Sequence, residues 1–381
     1  AVLGIAGLTF LGALNDGWLA DMKLNFIRSL SGHLQVHAQG YQQMGRLSHR
    51  IREPRAVTET VAETPGVAAW TPRVRLQGLA TTEGKSSIAV LYGVDPEREG
   101  RVTRLPECLE AGTWLLPGEH KEMLLGPGIA ANLGVTIGDK VILTGHRPDG
   151  AMTTEAFRVR GILCPTGPQV DRGLAVISLA TVAAWLELGD DLTDVVVRLE
   201  DKAPDVAGAL EDALGPRGYE VVTWRELDPV VGQWVSFSEA YGVVVVLIVV
   251  ALVVLEVLNT MLMALHERRP ELAMMLSLGT RPAELFRLVL LEGVLLVAVG
   301  AVAGYALGAL VVHLVQEPGI DLSGYSDALE FFYMSPVIHP QLTTATELRI
   351  MFTTLVSALV AGIYPAVKAA RIEVSDVLHA R

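Results

Sequence analysis

Three long apolar runs in the C-terminal part of the chain leave few folds open to it. They are Ala240–Leu265 (AYGVVVVLIVVALVVLEVLNTMLMAL), Leu288–Val315 (LVLLEGVLLVAVGAVAGYALGALVVHLV) and Ile350–Ala370 (IMFTTLVSALVAGIYPAVKAA). Each approaches or exceeds the roughly 20 residues that cross a ~30 Å hydrocarbon core. One such run can be the central helix of a soluble protein, but three so close together read as membrane spans. Composition agrees: 51% of the residues are hydrophobic, and the mean hydropathy is +0.40. The opening AVLGIAGLTFLGAL, Ala1–Leu14, is apolar but short, and no basic residues precede it as they would in a signal peptide. It reads as the outer part of a first span whose cytoplasmic beginning lies outside this sequence, which gives four spans.

Charge sets the orientation. Arg268, Arg269, Arg281 and Arg287 lie between the second and third spans, and Lys368, Arg371 and Arg381 lie at and after the end of the fourth. The 316–346 segment carries Glu317, Asp321, Asp327 and Glu330 and no Lys or Arg. Basic loops remain in the cytoplasm, so the 266–287 segment and both chain ends are expected inside, and 316–346 and the large 21–238 region outside. That region holds 22 basic and 28 acidic residues, and no basic patch suggests nucleic acid. Its two cysteines, Cys108 and Cys164, are expected in an oxidising compartment, either as a disulfide or as two buried thiols.

Between Asn15 and Tyr41 apolar residues recur at helical spacing (Leu19, Met22, Phe26, Leu30), which predicts a stalk continuing the first span into water. Gly232–Tyr241 is expected to be the returning stalk. The intervening sequence predicts strands at 67–76, 87–94, 140–144, 157–163, 173–178, 194–199 and 220–223, with helices at 51–63, 127–133, 179–188 and 204–214. The predicted fold class is a membrane protein with four transmembrane α-helices and a large α+β extracytoplasmic domain between the first and second. The expected divisions are 1–40 (first span and stalk), 41–231 (outer domain), 232–265 (stalk and second span), 266–287 (cytoplasmic segment), 288–315 (third span), 316–346 (outer loop) and 347–381 (fourth span and tail).

No catalytic constellation stands out. GLATTEGKSS, Gly78–Ser87, ends like a phosphate-binding loop, but its first Gly is one residue too far from Gly84-Lys85 and a strand follows it, so a hairpin turn is expected. SLSGHLQ, Ser29–Gln35, has the look of an ATPase signature loop but comes without a phosphate-binding loop. His33 and His37 would share a helix face, yet no third metal ligand accompanies them. We expect no catalytic residue, no metal site and no cofactor bound by this chain.

Two carboxylates fall inside spans. Glu256 lies deep in the second and is expected to face the bundle interior or water; Glu292 sits near the inner end of the third and is expected to anchor its entry. Gly300, Gly304 and Gly308 form a ladder that lets another span, or a second copy, approach closely. Between the second and third spans, ALHERRPELAMMLSLGTRPAELFRLVLLEG combines charged edges with an apolar stripe of Leu272, Met275 and Leu276, ending at Gly279. Such a helix suits docking in a groove on another protein.

This segment and its continuation resemble the FtsX/MacB-type ABC transporter permeases. Glu267-Arg268, Glu271, Gly279 and Glu292-Gly293 match that pattern in order, and Tyr364–Arg381 is similar to its C-terminal ending. GHLQVHAQGY and GIAANLGVTIGDKVIL resemble the lipoprotein-releasing LolC/LolE branch. Pro270 departs from the pattern, and Glu256 belongs to none of it. The resemblance implies a MacB-like periplasmic core domain built from two parts and a bacterial inner-membrane location. It also implies a mechanotransmission role, in which a separate cytoplasmic ABC ATPase, in two copies and carrying the ATP and Mg, couples through Glu267, Arg268, Glu271, Leu272, Met275 and Gly279. Further implied partners are a second permease chain, identical or related, a lipoprotein cargo, a periplasmic carrier and the lipid bilayer. The alternatives are a MacB-like exporter subunit for another amphiphile or peptide, and FtsX-like signalling to cell-wall hydrolases.

Overall fold

The computed structural model of the protein describes residues 2–118, 120–164, 171–200, 203–325, 329 and 334–372. Helix α1 (Val2–Phe26) ends in a wide turn, Ile27–Ser31, and Gly32 at φ +66° redirects the chain into β1 (Leu34–Ala38). There follow α2 (Pro54–Glu63), β2 (Val67–Thr82), β3 (Lys85–Val94), β4 (Leu109–Gly112), β5 (Glu122–Leu125) and α3 (Pro127–Leu133). Next come β6 (Lys140–His146), β7 (Met152–Leu163), β8 (Leu174–Ser178), α4 (Leu179–Trp185), β9 (Asp194–Leu199), α5 (Val206–Leu214) and β10 (Tyr219–Thr223). The remainder comprises α6 (Pro229–Glu267), α7 (Arg269–Ser277), α8 (Pro282–Gln316), the short pair β11 (Ile320–Asp321) and β12 (Val337–Ile338), and α9 (Thr344–Ala370).

The chain forms two compact units. One, helical, comprises Ala1–Ala20, Trp234–Ser323 and Val337–Arg381; the other, α+β, comprises Asp21–Gln233 and Gly324–Pro336. The sequence placed the start of the outer domain at 41. The structure places it at 21, because β1 belongs to the sheet, and adds a piece of the 316–346 loop, whose Ser335 accepts from Asn25 and donates to Asp21. Asp327 and Glu330 of that loop, and 373–381 of the terminal segment, lie outside the described residues.

In the α+β unit, β2 is the organising strand. Val67–Arg73 pairs with β9, Arg73–Thr82 with β3, and Leu79–Thr81 with β6. From β3 the ladder runs through β8, β5 and β7 to β6, and so back to β2. Six strands thus close into a ring, which pairs edges that would otherwise be open to other chains. Alternate residues point inward, as the strand period of two requires: Val74, Leu91, Met123, Leu125, Val141, Phe157 and Ile177 share one core, whereas Leu124 and Val176 face a second. Glu83 and Gly84 form the two-residue β2–β3 turn, with Gly84 at φ +95°, so the Gly-Lys-Ser stretch is a hairpin end. Cys108 and Cys164 are joined as a disulfide, their Cα atoms 5.2 Å apart.

The helical stalk expected through Tyr41 stops short. Residues 34–38 form β1, hydrogen-bonded to β9 on one side and β10 on the other. His37 is therefore a fully buried sheet residue rather than a solvated stalk residue. Its Nδ1 lies 2.7 Å from Asp194 Oδ1, and its ring stacks on Tyr41. Thr193 Oγ1 donates to Asp194 Oδ2 at 2.8 Å, and Arg75 stands 4.0 Å away. Burial disfavours ionisation of Asp194, but the Arg75 and His37 charges and the hydrogen bonds outweigh it and hold the carboxyl below the usual carboxylate range. Burial, reinforced by Asp194, pushes the Tyr41 phenol up.

A second buried pair, Arg73 with Glu99, ties β2 to the segment that follows α1, because Arg73 Nη1 also donates to Leu30 O at 2.5 Å. Removing one member of a buried pair costs on the order of 3–5 kcal/mol. Asp194→Ala is expected to lower the stability of the full chain by about that amount, measured by thermal unfolding in detergent. Because Asp194 is the stronger acid when folded, its stabilisation is complete above the unfolded value of about 3.9 and is lost as the pH falls below it. Asp194→Asn is expected to remove that acid dependence.

Candidate functional site

The helical unit contains the segment with the densest cluster of sequence motifs. Helix α6 ends where Arg268 adopts φ −93°, ψ 8°, and Pro270, which has no N–H to leave unpaired, starts α7 within its first turn. The exit is set by Gly279 at φ +102°, whose N–H donates to Leu276 O while Thr280 N–H donates to Met275 O. Arg281 N–H then donates to Glu284, and Pro282 opens α8. Helix α7 is thus a nine-residue rod between two non-helical joints.

Arg268 joins the pieces. Its Nη1 donates to both carboxylate oxygens of Glu292 on α8, at 2.8 and 3.1 Å, and its Nε lies 3.4 Å from Glu271 on α7. Glu292 therefore anchors the joint between α6 and α7 from the neighbouring helix. Glu267 makes no ion pair among the described residues. The next residue after Glu292, Gly293, lets three helices converge. A Cβ there would lie 2.7 Å from Met261 Sδ of α6 and 3.5 Å from Gly362 Cα of α9.

The apolar stripe of α7 divides differently from the sequence reading. Leu272 is buried against α6 and α8, with Leu276 packed beside it, so neither is offered outward. The outward residues are Met274, Met275 and Leu278, the last 83% exposed. The reason is the short reach between α6 and α8, which presses one side of α7 onto their ends.

The glycine ladder is taken up within the chain. Cβ atoms at Gly304 and Gly308 would lie 2.7 Å from Val2 O and from Thr9 Cβ of α1, and Gly300 is buried on the same face. Gly4 of α1 likewise faces Val253 of α6, and Gly12 faces Thr346 of α9. Of the two surroundings expected for Glu256, bundle interior or water, the fold of this single chain excludes the first. The buried stripe of α6 is Val253, Val257, Met261 and Leu265, at i, i+4 spacing, which leaves Glu256 exposed on the outer face rather than in the bundle interior. Sequence reasoning also missed Asp16 of α1, which accepts from Thr343 and Thr346 at the start of α9; a lone Asp in an apolar run was the available signal. No group of three or more metal-ligating side chains occurs among the described residues.

Four helices, α1 with its final turn, α6, α8 and α9, are long and apolar enough to cross a membrane. With the α+β unit, they define an integral membrane protein carrying a large folded domain, and comparison places that class. Residues 243–374 match the FtsX-like permease C-terminal family model, and residues 1–213 match the MacB-like periplasmic core domain. The chain belongs to this family of ABC transporter permeases, inner-membrane proteins with a periplasmic domain.

Among individual relatives it is similar to the lipoprotein-releasing system transmembrane protein LolC of Xylella fastidiosa, 27% identical over all of this chain and 92% of that one. It is also similar to LolC of Neisseria meningitidis, 23% identical over 81% of this chain and 74% of that one, and to LolE of Haemophilus influenzae, 22% identical over 83% and 78%. Among solved structures, the periplasmic region of MacB from Actinobacillus actinomycetemcomitans aligns at a TM-score of 0.37 and 14% identity, over 55% of this chain and 95% of that one.

Because α1 meets the glycine ladder without room for a side chain, Gly304→Val is expected to cost about 1–3 kcal/mol, read as a lowered unfolding temperature in detergent. Val302→Leu, on the exposed face of α8, is expected to leave it unchanged.

Proposed function

We propose that this chain is the permease subunit of a mechanotransmission ABC transporter of the lipoprotein-releasing type. Four spans carry it, with the periplasmic domain inserted between the first (α1) and the second (α6). The observation that carries the reading is the α7 segment: a short helix between two spans, fixed at its base by the Arg268–Glu271–Glu292 cluster and presenting Met274, Met275 and Leu278 outward. Flexible thioether and leucine side chains in such a patch suit a hydrophobic groove on a partner. That partner is a cytoplasmic ABC ATPase, present in two copies and holding the ATP and Mg, and a second permease chain completes the complex. A push on α7 reaches α6 and α8 through Arg268 and Leu272.

On the far side the cargo is a lipoprotein taken from the inner membrane and passed to a periplasmic carrier. Similarity to the LolC and LolE proteins of lipoprotein-releasing systems supports this cargo. In chain order the domain's first strand, β1, comes after α1 and its final turn, and its last strand, β10, comes before α6, which supports a domain inserted between the first two spans.

The experiment is co-expression and co-purification of the chain with a cytoplasmic ABC ATPase from the same organism. The double variant Met274→Asp/Leu278→Asp is expected to weaken ATPase binding at least tenfold, as loss of a central apolar anchor does. Undiminished binding and undiminished ATPase stimulation would contradict the assignment of α7. Crosslinks from the periplasmic domain to a cell-wall hydrolase, with none to lipoproteins, would contradict the cargo.

A further inference from the structure

Where α6 gives way to α7, the end of α9 lies alongside and the two enclose a cleft of about 460 Å³. Basic side chains line it: His266 and Arg269 from one side, Lys368 and Arg371 from the other. Among the described residues no carboxylate lines it, and none of Arg269, Lys368 and Arg371 makes an ion pair. Arg268, one residue away, contrasts with them: Glu271 and Glu292 already occupy its guanidinium. His266 Nδ1 lies 2.6 Å from Leu262 O, which requires the proton on Nδ1 and leaves Nε2 for another partner.

Two helix C-termini converge at this point, and each carries about half a negative charge. That accounts for roughly one of the positive charges gathered here, and the three permanent cations exceed it. The remaining walls are apolar. Leu265 is buried at the floor, Val367 is half-buried, and Tyr364, 55% exposed, stands one turn further into α9. Both helices are apolar spans up to this level, so the cleft has a basic rim over a hydrocarbon wall.

We propose that this cleft is a binding site for an anionic phospholipid, its phosphate held by Arg269, Lys368 and Arg371 and one acyl chain lying along Leu265, Tyr364 and Val367. Basic clefts between spans, at the cytoplasmic side, take acidic headgroups by this combination of charge and apolar contact. The phosphate chemistry alone is shared with soluble phosphate. The apolar wall, which no soluble anion would use, favours lipid, and its placement on spanning helices favours lipid over the ATPase. The inference rests on α6 and α9 crossing the bilayer and not on the coupling role of α7. A lipid seated here bridges the end of α9 to the first residue of α7, and so sets how freely that joint turns.

The test is thermal unfolding of the full chain in neutral detergent, titrated separately with phosphatidylglycerol, phosphatidylcholine and inorganic phosphate. Phosphatidylglycerol is expected to raise the unfolding temperature, and the other two to leave it unmoved. Lys368→Gln/Arg371→Gln is expected to raise the half-maximal phosphatidylglycerol concentration about tenfold or more, whereas Arg281→Gln, a basic position outside the cleft, leaves it unchanged. If the double variant does not fold, Arg269→Gln on α7 is expected to show the same loss in smaller degree. An equal response to both lipids, or to phosphate alone, overturns the proposal. So does an unaltered phosphatidylglycerol response in the variants accompanied by loss of ATPase binding, which assigns the cleft to the protein partner. A chain whose α7 fails to bind an ATPase but keeps the lipid response refutes the coupling reading alone.

Discussion

Backbone must approach backbone for the helical unit to exist. In hydrocarbon there is no water to expel, so the attraction between spans comes from close packing and a few hydrogen bonds. Gly304 and Gly308 bring α1 onto α8 with less room than a methyl group needs, Gly4 and Gly12 bring α1 against α6 and α9, and Gly293 meets Met261 and Gly362 where α6, α8 and α9 converge. Side chains of ordinary size at these positions would hold the helices apart by ångströms. Polar contacts then fix the register: Asp16 with the Thr343 and Thr346 hydroxyls, Asn15 with Ser238, and Tyr305 with Glu347.

This packing gives α7 its character. A helix of nine residues has little stability of its own, yet Leu272 and Ala273 are buried against helices that the glycines hold in place. Arg268 adds a two-oxygen grip on Glu292. Exposed pairs of this kind contribute little to stability, about 0–1 kcal/mol; their value here is geometric, because they set the angle at which α6 hands over to α7. The residues left outward, Met274, Met275 and Leu278, contribute nothing to the chain's own core and are free to serve a partner.

Much of this was legible in the sequence, for identifiable reasons. Unbroken apolar runs declare spans whatever their surroundings, and β9 and α3 were bounded to the residue because Asp194 and Pro127-Gly134 punctuate them. Residues 34–38 were misread because LQVHA follows an apolar stripe at helical spacing, and only pairing to β9 and β10, more than 150 residues away, makes it a strand. The four-residue strands β4 and β5 carry too short a pattern to register. The glycine ladder was visible but its occupant was not, since small-residue spacing specifies closeness without naming the neighbour. Within α7 the sequence showed Leu272, Met275 and Leu276 as one apolar stripe, while the division between inward Leu272 and outward Met274 and Leu278 depended on helix ends that the sequence does not place.

The account as a whole requires that α7 and the β2–β3 hairpin sit on opposite faces of one membrane, for otherwise a cytoplasmic push has nothing to cross. Single cysteines introduced at Ser277 in α7 and Ser86 in the hairpin, probed with a membrane-impermeant maleimide on spheroplasts, measure this directly. The expected result is that Ser86→Cys labels from outside and Ser277→Cys only after permeabilisation. Labelling of both from the same side would contradict the account.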